Sequence, residues 1–200
     1  SQRTPAPPRL GARARRVGDP APDGTYAGGE PAPPAPHGAA RDERRIDPRR
    51  VHLATGLLIR EGALLAVASR YANHDAPIWT LPGGRQRYGE LLEETVRREL
   101  LEEAQLDVEV AELLYVSESY DRANGVQFTN TTFRIVSAGE PVLARDPHVV
   151  ALEWIALDRV EERFRVRVVR EPLLAHVHGD TRRYYGYADA GISIVFSDPA

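Results

Sequence analysis

The chain has 200 residues, of which 42% are hydrophobic and 28% charged, a composition typical of one folded domain with or without a tail. Its 26 basic and 29 acidic residues leave a net charge of −3, which indicates neither a nucleic-acid coat nor a membrane-surface binder. Cysteine is absent, so disulfide scaffolds, zinc ribbons and thiol nucleophiles are excluded, and a reducing, cytoplasmic compartment is predicted. All basic residues are arginine, which excludes lysine-based catalysis, and no run of 18 apolar residues suggests a membrane span.

The first 50 residues differ in composition from the rest of the chain. They contain 10 of the 16 prolines and few large apolar side chains. Such a segment cannot bury enough surface to build a core, which favours a flexible Pro/Arg-rich extension. Two alternatives stay open: an arm that packs on a partner subunit and forms a homodimer, and an organellar transit peptide. We place the folded domain at residues 51–200, with a core over about 51–165 and a C-terminal helix and tail over 166–200.

The pattern changes to short strands after residue 50. Two apolar runs, 51–60 and 63–70, meet at Glu61-Gly62 and predict a β-hairpin, and a third strand over 78–81 precedes Pro82-Gly83-Gly84. The clearest helical pattern covers 90–104. The later elements are strands near 108–119, 127–136 and 148–156, helices near 158–164 and 171–177 (with Pro172 in the first turn), and a strand within 184–196. This order predicts an α/β or α+β domain.

The helix over 90–104 has an unusual distribution of acidic residues. On a helical wheel of about 100° per residue, Glu99, Glu102 and Glu103 fall within the apolar arc that runs from Leu91 through Leu92 and Val96 to Leu100. A solvated acidic face would lie opposite that arc. Unpaired carboxylates on the packed side would each cost several kcal/mol to desolvate, so we expect a compensating cation there.

The chemistry of these side chains indicates which cation. Carboxylate oxygens without cysteine or a nearby histidine favour Mg²⁺ or Mn²⁺ over zinc. Mg²⁺ keeps part of its water shell and bridges to phosphate oxygens. The preceding Gly83-Gly84 turn has no side chains that would keep a phosphate from the backbone. The residues alone therefore predict a metal-dependent phosphate site.

The stretch from Gly84 to Leu106 resembles the Nudix box, the signature of the Nudix hydrolase family. Eight of the nine specified positions match at the correct spacing: Gly84, Glu90, Arg98, Glu99, Leu100, Glu102, Glu103 and Leu106. The exception is Gln105, where the family usually has glycine. We expect that position to cap the helix in a left-handed conformation, where a Cβ costs about 1 kcal/mol.

The resemblance implies a fold, a reaction and a set of residue roles. The fold would be an α/β/α sandwich with a mixed sheet, and the reaction would be attack of water on a nucleoside diphosphate linked to another group. The implied metal ligands are Glu99, Glu102, Glu103 and the Gly83 carbonyl. Arg98 would orient a carboxylate and Glu90 would anchor the start of the helix. The general base stays open between Glu102 or Glu103 and a loop carboxylate, Glu118 or Asp121.

Substrate binding is less well specified. Arginine is the only fixed cation available, so Arg70, Arg85 and Arg87, which flank the glycine turn, are candidates for contact with phosphate, together with Gly84. The motifs of several Nudix subfamilies are missing, which leaves a nucleoside di- or triphosphate or a sugar nucleotide as the substrate. The alternative function is a catalytically silent Nudix-fold nucleotide sensor. The retention of every box carboxylate favours the enzyme.

Overall fold

The computed structural model describes residues 49–144 and 148–194, which form nine strands and three α-helices. The N-terminal extension predicted for 1–50 falls almost entirely outside the described residues, as do positions 195–196 of the predicted tail strand. The strands are β1 (Arg49–Leu57), β2 (Ile59–Arg60), β3 (Ala63–Ser69), β4 (Ile78–Thr80), β5 (Gly83–Arg85), β6 (Glu109–Asp121), β7 (Val126–Val136), β8 (Val149–Ala156) and β9 (Tyr184–Tyr187). The helices are α1 (Leu92–Ala104), α2 (Val160–Arg163), which follows a 3₁₀ turn, and α3 (Arg167–Val177).

The strands form two sheets. The larger sheet is mixed and has the order β5-β1-β7-β6-β9, in which β1 pairs with β7 and β6 with β9 in parallel. In the smaller sheet β3 is central, with β8 along one edge and β2 and β4 along the other. The prediction of a mixed α/β architecture is confirmed.

The two longer helices cover opposite faces of the larger sheet. Ala54 of β1 packs in a cluster with Val96 and Leu100 of α1. Leu57, which points to the other face of the same strand, packs in a second cluster with Leu173 of α3. The alternation along β1 therefore creates a layer of helix on each side of the sheet, as the predicted sandwich requires.

Three details of the predicted elements need correction. The run 51–60 is not one strand: β1 ends at Leu57 and pairs with β7, while β2 pairs with β3 in the other sheet. Strand β5 was not predicted, because Gly83-Gly84 has the composition of a turn. Helix α3 begins at Arg167, so Pro172 lies inside the helix and not in its first turn.

The early start of α3 has a packing reason. Val166 and Leu173 are almost fully buried, and Val169 packs against the same core cluster. Their spacing of three and four residues lines one face of a helix, and the burial of that face outweighs the hydrogen bond that Pro172 removes. Within residues 49–144 and 148–194, no helix is long and apolar enough to cross a membrane.

Candidate functional site

The segment that leads into α1 is held by Glu90. Its carboxylate accepts two hydrogen bonds from Arg98, from Nε at 2.6 Å and from Nη2 at 3.0 Å. It also accepts the Arg87 N–H at 2.9 Å and the buried Thr95 hydroxyl at 3.0 Å. The Arg98 hydrogen bonds are the main reason that the pKa of Glu90 falls from 4.5 to about 2. Glu90 thus lies at the start of the helix, where the sequence predicted an anchor.

Arg98 links this segment to the other carboxylates of α1. Its Nη1 donates to Glu99 at 2.7 Å and to Glu102 at 3.0 Å, and its Nη2 donates to the Arg85 carbonyl at 2.9 Å. One guanidinium therefore holds three glutamates and one strand of the sheet. This geometry fits the expected role of Arg98 in orienting a carboxylate.

Glu103 and Glu99 face the glycine turn of β5. Glu103 is buried, and its Oε2 accepts the Gly83 N–H at 2.9 Å. A Cβ added at Gly84 would lie 2.5 Å from Glu99 Oε1, so only glycine leaves room for that carboxylate. The Gly83-Gly84 backbone, predicted as a turn and observed in strand β5, thus lies against two of the three acidic side chains of α1.

The third carboxylate, Glu102, lies nearer the surface. Its side chain is 40% exposed, in contrast to the packed position expected from the helical wheel. It bonds to Arg98 and to Arg87, whose Nη1 lies 3.1 Å from Glu102 Oε1. Among residues 49–144 and 148–194, no three acidic or histidine side chains converge on one cation-sized position. Arginine and backbone donors hold these carboxylates in the geometry described here.

The donor set nevertheless fits a hard divalent cation. Glu99 and Glu103 lie against the Gly83-Gly84 backbone, and Arg98 joins Glu102 to Glu99. No sulfur ligand is available because the chain lacks cysteine and methionine. Burial raises the pKa of Glu99 despite its hydrogen bond with Arg98. The nearby guanidinium therefore does not fully offset the desolvation of this carboxylate, and a cation would compensate it further.

A polar cleft opens beside the glycine turn. It has a volume of about 430 Å³, and Arg70, Arg85 and Arg87 line it together with Gly83, Gly84, Glu99 and Glu103. Every residue that the sequence predicted for phosphate contact lies in this wall. A second cleft of about 500 Å³ shares Arg70, Tyr71 and His148 with the first, so the two adjoin.

Glu118 and Asp121, predicted as loop carboxylates and candidate general bases, lie in strand β6 and are not among the residues that line this cleft. Glu118 accepts hydrogen bonds from Thr129 and Tyr184 on the large sheet. Asp121 accepts the Asn124 side-chain amide and the Ser193 hydroxyl. Burial acts to raise the pKa of Asp121, but these hydrogen bonds hold it below its usual value. Both side chains have contacts away from the cleft.

Sequence reasoning did not assign Tyr71 and His148 to the cleft. They come from the end of β3 and the start of β8, and the backbone N–H of Arg70 bonds to the His148 carbonyl at 2.8 Å. Burial is the main cause that raises the pKa of Tyr71 to about 12, and the charge of Glu103 adds to it. No local pattern marks either residue, because β3 and β8 meet only through tertiary pairing.

Gln105 has the conformation expected at the end of α1. Its φ is 52° and its ψ is 30°, which is left-handed. The Gln105 N–H bonds to the Leu101 carbonyl and the Leu106 N–H to the Leu100 carbonyl, each at 3.2 Å. The departure from glycine thus changes local strain and leaves the carboxylates of the helix in place.

Comparisons with known proteins agree with this geometry. The sequence model described as NUDIX domain matches residues 50–177. A MutT NUDIX hydrolase from Burkholderia pseudomallei is 29% identical, with a TM-score of 0.56, over 62% of this chain and 96% of its own. A NUDIX hydrolase from Nitrosomonas europaea is 20% identical, with a TM-score of 0.58, over 68% and 93% of the two chains. A MutT protein from Bacillus halodurans is 22% identical, with a TM-score of 0.58, over 73% and 95%. No match was found among curated proteins.

Proposed function

Because the chain belongs to the Nudix family, whose domain matches residues 50–177, we propose that it cleaves a phosphoanhydride bond with Mg²⁺ or Mn²⁺ as cofactor. It is a Nudix pyrophosphohydrolase that acts on nucleotide-linked compounds. The metal, the substrate and the residue roles are the proposals. The observation that carries them is the placement of Glu99 and Glu103 in one arginine-lined cleft, against the glycine turn of β5.

In this proposal each residue of the box has a defined task. Glu99, Glu102, Glu103 and the Gly83 carbonyl hold the metal, which supplies charge neutralisation at phosphate and a more acidic bound water. Arg98 keeps Glu99 and Glu102 oriented through its hydrogen bonds. The general base is Glu103, which lines the cleft, or Glu102, which Arg98 joins to Glu99 of the cleft wall. Glu118 and Asp121 bond to groups away from the cleft.

The substrate we propose is a nucleoside di- or triphosphate or a sugar nucleotide. Arg70, Arg85, Arg87 and the Gly84 backbone would bind its phosphates, because these groups surround the carboxylates in the cleft wall. The adjoining second cleft supports a substrate that extends beyond its phosphates. Residues 1–50 are proposed as a flexible Pro/Arg-rich extension to a domain at 51–200, in a cytoplasmic protein that binds no nucleic acid. A homodimer formed through this arm is the alternative.

The direct test is a hydrolysis assay on a panel of nucleotides. Release of phosphate and of pyrophosphate would be measured for nucleoside di- and triphosphates, ADP-ribose, sugar nucleotides and dinucleoside polyphosphates, with Mg²⁺, with Mn²⁺ and with EDTA. We expect turnover that requires the metal and falls at least 100-fold in Glu103→Gln. Glutamine can still accept the Gly83 N–H, so the substitution mainly removes charge.

The matched control is Glu93→Gln. Glu93 lies on the exposed face of the same helix and pairs with Arg97 at 3.4 Å, so the same charge change there should leave turnover unaltered. Nucleotide binding without hydrolysis of any compound would instead favour the silent sensor. Full activity in Glu103→Gln would contradict its assignment as a metal ligand.

A further inference from the structure

The segment between β5 and α1 places one arginine on a carboxylate of the proposed metal site. Arg87 meets Glu102 through two contacts, Nη1 to Oε1 at 3.1 Å and Nη2 to Oε2 at 3.3 Å. Two roughly parallel contacts of this kind occupy both oxygens of the carboxylate. The same arginine also belongs to the wall of the polar cleft.

Glu90 holds the backbone of Arg87 through two hydrogen bonds, whereas the side chain of Arg87 is largely exposed. The Arg87 N–H donates to Glu90 Oε2 at 2.9 Å, and the Arg87 carbonyl accepts the Glu90 N–H at 3.2 Å. The side chain of Arg87 is 60% exposed and that of Glu102 is 40% exposed. An exposed ion pair of this kind contributes little free energy, so the guanidinium can leave Glu102 by side-chain rotation alone.

The charges around Glu102 make this pair sensitive to a cation. Four glutamates (Glu90, Glu99, Glu102 and Glu103) lie close together, and Arg98 and Arg87 bond to three of them. A divalent cation on Glu102 would take the oxygens that Arg87 occupies and repel the guanidinium. Arg98 would keep its place, because its two hydrogen bonds with Glu90 do not depend on Glu102.

We propose that Arg87 is a phosphate-binding residue that metal binding releases: it neutralises Glu102 until a divalent cation takes that carboxylate, and then turns to a substrate phosphate in the cleft. This inference rests on the proposed assignment of Glu102 as a metal ligand. It deepens that function, because it makes the binding of metal and of substrate cooperative through one side chain. By linkage, a substrate phosphate that binds the Arg87 guanidinium keeps it away from Glu102 and so strengthens metal binding.

The test measures Mn²⁺ affinity without nucleotide, by electron paramagnetic resonance of the free ion, in wild type, Arg87→Gln and Arg87→Lys. We expect Arg87→Gln to bind Mn²⁺ about two- to five-fold more tightly, because an exposed competing ion pair is lost. Arg87→Lys keeps the charge without the two-pronged contact and should lie between the two. In Arg87→Gln, the KM for the nucleotide substrate should rise about 10- to 100-fold, as expected for a lost charged hydrogen bond.

The controls separate this mechanism from simpler ones. Arg97→Gln makes the same charge change at the exposed Glu93 pair and should leave Mn²⁺ affinity unchanged. Weaker or unchanged Mn²⁺ binding in Arg87→Gln, with a normal melting temperature, would overturn the proposal, since a merely supporting arginine would behave so. Glu102→Gln tests the premise separately: unchanged Mn²⁺ affinity in that variant would remove Glu102 from the metal site itself.

Discussion

Replacement of Gly84 by alanine should damage the site while it spares the fold. The added Cβ would lie 2.5 Å from Glu99 Oε1, 2.6 Å from its Cδ and 2.8 Å from Oε2. Ordinary contact requires about 3.5 Å, so the carboxylate must retreat by about 1 Å. The Glu99 carboxylate is the end of a flexible side chain, so it can move at a cost of about 1 kcal/mol in rotamer strain.

A displacement of about 1 Å at a proposed metal ligand is expected to lower kcat about 10- to 100-fold. The melting temperature should fall by only about 2–4 °C for a domain of this size. Gly83→Ala provides the contrast: its Cβ would strike the Ala54 carbonyl and lie 2.7 Å from Thr55 Cα, at a φ of 140°. Because backbone cannot yield as a side chain does, that variant should lose its fold.

The assay compares metal-dependent turnover and thermal unfolding for both variants with Gly139→Ala. In that control the added Cβ meets a Leu106 methyl group at 3.1 Å and the Ser137 hydroxyl at 3.6 Å, away from the cleft. In a Glu99→Asp background the Gly84→Ala penalty should disappear, because the shorter side chain leaves the space free. Wild-type kcat in Gly84→Ala, or a penalty that persists with aspartate, would refute the reasoning.

Three further predictions follow from pKa directions and backbone geometry. Burial raises the pKa of Glu99, so the free energy of unfolding increases as the pH falls through the raised pKa. Glu99→Gln removes the buried charge, and we therefore expect it to raise the melting temperature at pH 7 without metal and to remove activity. The Arg98 hydrogen bonds lower the pKa of Glu90 to about 2, so its stabilisation is full above pH 4.5 and is lost between pH 4.5 and 2. Acid titration of the free energy of unfolding should show that loss in wild type and a smaller one in Glu90→Gln. Gln105→Gly should raise the free energy of unfolding by about 0.5–1 kcal/mol and leave kcat unchanged, because glycine relieves the left-handed backbone; a lower melting temperature would contradict this.

The sequence by itself determined the features that depend on local spacing. Helix α1, which begins two residues later than predicted, and the left-handed position at Gln105 follow from periodicity and backbone preferences within a few residues. The spacing of the box from Gly84 to Leu106 identified the family, and its three glutamates predict a hard divalent cation. These inferences needed no knowledge of where the rest of the chain lies.

Tertiary structure alone decided which groups meet across the chain. The contact of Arg87 with Glu102 joins residues 15 positions apart, and the shared wall of Arg70 and His148 depends on the pairing of β3 with β8. The same holds for β1, which ends at Leu57 and pairs in parallel with β7, so that only β2 forms the predicted hairpin with β3. Such contacts follow from the burial of whole faces of sheet and helix, to which every element contributes, and no short stretch of sequence contains them.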